Sequence, residues 1–326
     1  MRTRAGIILV APVLAAGAAL FLGAYGVAPM QVIRILAGRS AGTPEAGIIL
    51  DIRLPRIVLA ALVGGALSAA GTTLQAVLRN PLVDPFMLGI SAGAAFGCAL
   101  VIGFLPAVPL PLMAFLVGGL AVLAACAMAK ASGQFSRLSL VLAGVIVSAL
   151  FSALLAIVKF LVDPQKLQSI VYWLMGSFAL ADWSQVGSAG LGIGLGCLPL
   201  VLFRWQLNVL SLGDDEARSL GVHVGRQRAL FIAGATLAAT SAVAVSGIIG
   251  WIGLMVPHLV RMATGPDHRR LLPLSMAGGA AVMIGADTVA RSLTMADLPV
   301  GIITAVAGAP FFLYLMRRGG KESWGE

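Results

Sequence analysis

Asp214, Asp215 and Glu216 stand in a row, with Arg218 two positions on, inside the stretch SLGDDEARSLGVHVGRQR (211–228). The chemistry these types offer is electrostatic. Acidic side chains suit the positive N-terminus of a helix, Arg218 suits its other end, and Gly221 is a natural stop. The spacing predicts a seven-residue helix, about 10 Å long, over Asp214, Asp215, Glu216, Ala217, Arg218, Ser219 and Leu220, closed by Gly221. A helix so short is unstable alone in water, so something must hold it. Elsewhere, Asp287 precedes Arg291 by four residues, which favours a local ion pair on one helix face over a proton relay. Met255 and His258 could suit a haem iron, but a lone histidine beside Pro257 is read as packing or a cap. His223, His258 and His268 are scattered, HExxH is missing, and Cys98, Cys126 and Cys197 lie far apart in apolar segments without CxxC spacing. No catalytic residue and no metal site is expected. GxxxxGK[ST] does not occur either, and the GGKE near the C-terminus is no substitute, so any nucleotide hydrolysis must come from a partner.

The elements that must position these residues are apolar. Charged side chains make up 11% of the 326 residues and hydrophobic ones 59%, with a mean hydropathy of +0.99. A soluble domain carries about 25% charge, so the composition predicts an all-α polytopic membrane protein. The ten-residue alternation of a membrane barrel is absent. Apolar runs suggest ten spans, near 5–27, 54–76, 87–105, 110–129, 138–161, 187–203, 228–247, 252–264, 271–292 and 301–316. The first follows a basic start; its length favours a retained span over a cleaved signal peptide. With both termini cytoplasmic, the flanks assigned inside carry about twice as many Arg and Lys as those outside, which satisfies the positive-inside rule. The island at 211–228 then faces the cytoplasm. The net charge of +9 follows from topology and implies no nucleic-acid partner. Gly89, Gly93 and Gly97 recur every four residues, which predicts close approach of another helix.

Three long segments, RLPRIVLAALVGGALSAAGTTLQAVLRNPLVDPFMLGISAGAAFG (53–97), IGLMVPHLVRMATGPDHRRLLP (252–273) and LPVGIITAVAGAPFFLYLMRR (298–318), strongly resemble the FecCD family of permeases. With the island and VYWLMGSFALADW (171–183), the resemblance covers nearly the whole chain. The family comprises membrane subunits of type II ABC importers for ferric siderophores, haem and cobalamin. It implies a single permease domain over 1–326, with ten helices in inverted-repeat halves. Two copies would form a homodimer in the lipid of a bacterial inner membrane, with two ABC ATPase subunits beneath and a substrate-binding protein outside. ATP and Mg would be held by the ATPases, and this chain would bind no cofactor of its own.

Residue by residue, the resemblance makes 211–228 the coupling helix. It matches Arg53, Arg56 and Arg291 to the arginines that receive glutamates of the binding protein, a role suited to guanidinium forks. The cytoplasmic gate matches Asn80 and Leu82, in RNPLVDP, and more loosely Phe135 and Ser136. The segment VYWLMGS resembles a short outer re-entrant helix, where Tyr172 and Trp173 fit a pathway or an interfacial belt equally well. The expected function is inward translocation of a bulky iron complex, siderophore or haem. Cobalamin is the alternative within the family; an ion-coupled secondary transporter and a passive channel are the alternatives outside it.

Overall fold

The computed structural model describes residues 2–23, 25–39, 42–131, 136–293 and 297–319, and shows no strand among them. α1 (Arg2–Phe21) is followed by α2 (Pro29–Leu36) and the single turn α3 (Pro44–Gly47). α3 runs through a π-helical turn, Ile48–Arg53, into α4 (Leu54–Leu78). Pro55 accounts for the wide turn, because its ring lacks the N–H for a normal i−4 bond and crowds that carbonyl. A 3₁₀ turn, Pro85–Leu88, leads to α5 (Ile90–Phe104) and α6 (Leu110–Ala131). α7 (Arg137–Leu161), α8 (Pro164–Leu174), α9 (Trp183–Leu202), α10 (Arg204–Leu212) and α11 (Asp214–Ser219) come next. The chain closes with α12 (Val224–Ser246), α13 (Ile252–Thr264), α14 (His268–Leu293) and α15 (Val300–Gly319).

Among the described residues, seven helices are long and apolar enough to cross a membrane, and three more apolar helices, at Ile90–Phe104, Ile252–Thr264 and Val300–Leu313, are shorter. Length alone therefore supports seven of the ten expected spans. The other three expected segments are also helices at the right positions: Ile90–Phe104 falls short of the expected run, Ile252–Thr264 has the expected bounds, and Val300–Gly319 slightly exceeds them. Two short helices that hydropathy passed over, α2 and α3, fold onto the π turn through Val32, Ile35, Ala46 and Ile49. They are too short and too mixed to register as spans.

α4 is the axis of the bundle. Nearly every side chain from Ile57 to Leu78 is buried, against α14, α12, α13 and α9. Small residues make this possible. A Cβ on Gly71 would lie 1.8 Å from the carbonyl oxygen of Gly253 in α13, and one on Gly64 would lie 2.2 Å from that of Gly279 in α14. The helices thus meet backbone to backbone, the arrangement that replaces hydrophobic driving force inside a bilayer. α5 and α6 pack in the same way, where Gly93 and Gly97 face the carbonyls of Val117 and Met113. By contrast Gly89, with φ 93°, is a left-handed cap before α5 and not part of that face.

Gly71→Leu is expected to be among the least tolerated changes in the chain. Neither helix backbone can retreat, so the cost should exceed the roughly 1–3 kcal/mol usual for overpacking. Size-exclusion of the detergent-solubilised variant should show little monodisperse protein; a wild-type profile would mean the α4–α13 crossing is loose.

Candidate functional site

Two polar clusters stand at opposite ends of α4, whose 25 residues span about 37 Å. At the end near residue 78 lies the charged island. α11 is one residue shorter than expected: Leu220 is its C-cap rather than its last turn. Gly221, with φ 78°, supplies the left-handed stop. Its N–H donates to the Arg218 carbonyl and the Val222 N–H to that of Ala217, both at 3.0 Å, which is a Schellman ending. Asp214, Asp215 and Glu216 occupy the first turn, where the helix dipole favours them. The two apolar side chains divide their roles: Ala217 is fully buried in its own chain, while Leu220 is 61% exposed. Arg218 pairs with Asp215 at 2.8 Å on the exposed face, next to Ser219, whose hydroxyl donates to the Glu216 carbonyl.

Asp214 faces inward and joins α11 to three other elements. Its carboxylate accepts two bonds from Arg228 of α12, both 3.0 Å, and a close one from Arg137 at the start of α7. Arg79, just past α4, lies 4.0 Å away. Burial pushes the Asp214 carboxyl up, but the Arg228 and Arg137 guanidiniums outweigh it and hold the group below its usual value. A depressed pKa means the stabilisation is present above the ordinary carboxylate range and is lost only as pH falls through the lowered value, so these pairs are intact at neutral pH. Arg79 itself sits in left-handed backbone, φ 50°, an uncommon place for a non-glycine residue. Its Nε is fixed by the Leu210 carbonyl at 3.0 Å. None of these three arginines was singled out from sequence, although all fall in flanks assigned to the same side as the island.

The two expected gate segments adjoin this cluster. Asn80 follows Arg79 directly, and its side-chain oxygen accepts from the Leu82 N–H at 2.9 Å, an Asx turn that leaves Leu82 exposed. Ser136 precedes Arg137 and caps α7, its hydroxyl accepting from the Ser139 N–H at 3.0 Å. Phe135 lies outside the described residues. Asp214 is therefore bonded or close to the residue next to each segment.

At the other end of α4, the three arginines matched to docking by the resemblance all make internal contacts. Arg53, Arg56 and Arg291 are 3%, 5% and 5% exposed. Arg53 donates to the carbonyls of Leu20, at 2.7 Å, and Tyr25, and Arg291 donates to that of Ala19. Ala19 and Leu20 belong to the last turn of α1, whose carbonyls lack helical partners and carry the negative end of the dipole. Arg56 forks onto Asp287 of α14, with Nε at 2.9 and 3.0 Å from its two oxygens, and reaches Asp297 at 2.9 Å. The local Asp287–Arg291 pair is present only at 3.9 Å, so the cross-helix partner dominates. In this conformation none of the three presents an unoccupied fork to an incoming carboxylate. Asp297 is the exposed member of the cluster, 42% accessible at its side chain, and sequence reasoning did not pick it out.

Among the described residues no group of three His, Cys, Asp or Glu side chains could hold a metal. Met255 is buried in the α13 packing and His258 is half-buried one turn on. α8 lies across the end of α5, with Lys166 donating to the Gly103 carbonyl at 2.9 Å. Trp173 packs on the core from α8 while Tyr172 is exposed, so the two residues play different parts.

The family model described as the FecCD transport family matches residues 8–318. The chain belongs to the FecCD transport family. Among its relatives, a protein named as a probable iron chelatin transport system permease of Helicobacter pylori is 48% identical over 271 residues, covering 83% of this chain and 82% of that one. The molybdate import system permease protein MolB of Haemophilus influenzae is 39% identical over 321 residues, covering 95% of each. A solved structure titled as an inward-facing conformation of a metal-chelate type ABC transporter aligns with a TM-score of 0.86 at 36% identity, over 98% of this chain and 100% of that one. This FecCD chain is accordingly a multi-helix membrane permease of the ABC transporter class, with the all-α fold of that structure.

Proposed function

We propose that this permease carries a bulky iron chelate, a ferric siderophore or haem, into a bacterial cytoplasm as one of two copies in an ABC importer. The observation that carries the reading is the build of α11: a capped, six-residue charged helix, anchored by Asp214 and offering Leu220 outward, in a chain with no phosphate-binding loop of its own. Such a helix suits the groove of a separate ATPase, which would hold ATP and Mg. The α11 end then faces the cytoplasm, in keeping with the positive-inside balance, and a substrate-binding protein feeds the Arg56 end from outside. Closure of the ATPase pair would move α11, and through Asp214 the starts of the gate segments after Arg79 and before Arg137. The iron cargo rests on the names of similar proteins, one of which, MolB, is named for molybdate instead.

The expected result in proteoliposomes holding the permease, its ATPase and its binding protein is uptake of a ferric siderophore or haem that requires ATP. An ATPase-dead partner should abolish it, and an uncoupler should leave it unchanged while ATP is maintained. Transport of only cobalamin or molybdate would overturn the cargo; transport that survives the dead ATPase would overturn the ABC mechanism.

A further inference from the structure

Behind α11 lies a small cavity of about 370 Å³ lined by Arg79, Ser136, Arg137, Asp214 and Arg228. Three guanidiniums here face a single carboxylate. Asp214 can neutralise one of them, and Glu216 acts on Arg79 from outside the lining, so the walls stay net positive. Each arginine also leaves one buried nitrogen without an acceptor: Nη2 of Arg79, Nε of Arg137 and Nε of Arg228. Arg228 is 6% exposed, so water cannot easily make up the deficit there. Buried donors left unmade cost free energy, and like charges crowded together cost more. Burial, with the neighbouring Arg137 charge added, lowers Arg79 below the ordinary arginine range. An anion with several acceptor oxygens in this cavity would offer acceptors to all three side chains.

We propose that this cavity is a phosphate-group site, in which Arg79, Arg137 and Arg228 bind the oxygens of a phosphate beside Asp214. Guanidinium forks favour phosphate oxygens, and a tetrahedral anion offers more acceptors to three guanidiniums lining one cavity than a two-oxygen carboxylate does. The phosphate can be that of a free anion or of an acidic lipid headgroup, since basic pockets between helices at a membrane face bind such headgroups. The site goes beyond the transport reading and does not depend on it. Bound phosphate would cross-link the end of α4 and the starts of α7 and α12 behind α11.

The test uses the full chain in nanodiscs at constant ionic strength, with two variants. Arg137→Gln removes a half-buried donor at a helix start, and Asp214→Asn removes the competing negative charge. In phosphatidylcholine discs, labelled inorganic phosphate should bind, about tenfold more weakly to Arg137→Gln and more tightly to Asp214→Asn. If phosphate fails there but native mass spectrometry finds phosphatidylglycerol retained from mixed discs, and shed by Arg137→Gln, the headgroup is the ligand. The tightening in Asp214→Asn separates an anion site from a merely structural cluster, which that change would only weaken. Neither probe bound, or both bound equally by wild type and Arg137→Gln, overturns the proposal.

Discussion

Asp287→Asn should cost this protein about 3–5 kcal/mol of stability, the usual penalty for removing one partner of a buried ion pair. The carboxylate is 2% exposed at its side chain and lies 2.9 Å from Arg56 and 3.9 Å from Arg291. Without its charge, Arg56 keeps only the half-exposed Asp297, and Arg291 only a carbonyl. The loss should show as a lower melting temperature in detergent and as earlier release of α1, whose end Arg53 and Arg291 hold. Adding Arg56→Gln should return part of the loss, because the pair is then removed together; a double-mutant cycle reads this directly. If Asp287→Asn melts like wild type, the cluster is solvated and the clamp is not what holds α1.

The second large effect belongs to α11. Leu220→Asp should leave the permease folded, since the side chain is 61% exposed. If α11 docks in an ATPase groove as proposed, the change places a charge at an apolar contact, and central contacts of that kind carry about 2 kcal/mol or more, so affinity for the ATPase should fall by tenfold or more. Gly221→Pro acts through the backbone. Proline cannot adopt φ 78° and has no N–H for the Arg218 carbonyl, so the Schellman ending is lost and Leu220 is no longer aimed. In both variants ATP hydrolysis by the assembled complex should become independent of substrate delivery, with transport lost. Normal coupling in both would remove α11 from the drive path.

What could be read in advance depended on how far apart the cooperating residues are in the chain. The island was legible because everything that makes it a helix is local: acids in the first turn, Arg218 later, glycine at the stop. Its one inexact boundary, Leu220, is a matter of cap geometry. The all-α membrane class was legible for the same reason, from runs of apolar residues. The Arg56 cluster was not, because Asp287 and Asp297 lie 231 and 241 positions away. The nearest available partner for Asp287, four residues on, drew attention from the one that binds it. Three arginines beside an expected membrane surface look like free cations until α1 and α14 are folded over them. Glutamate at all three would bury new carboxylates against Asp287, so loss of partner binding in that variant would report unfolding as readily as docking. The Arg79, Arg137 and Arg228 convergence was invisible in the same way, being assembled from the ends of three helices.

The crossings at Gly64–Gly279 and Gly71–Gly253 bear on how such a chain can diversify. Where two main chains touch, there is no side chain to exchange by small steps, so the joint between α4, α13 and α14 is closed to gradual change. The exposed leucines of α6 and α7 are open to it. A lineage built on this joint would keep its frame while its cargo drifted, which is one physical route by which permeases named for iron chelates and for molybdate come to share a scaffold.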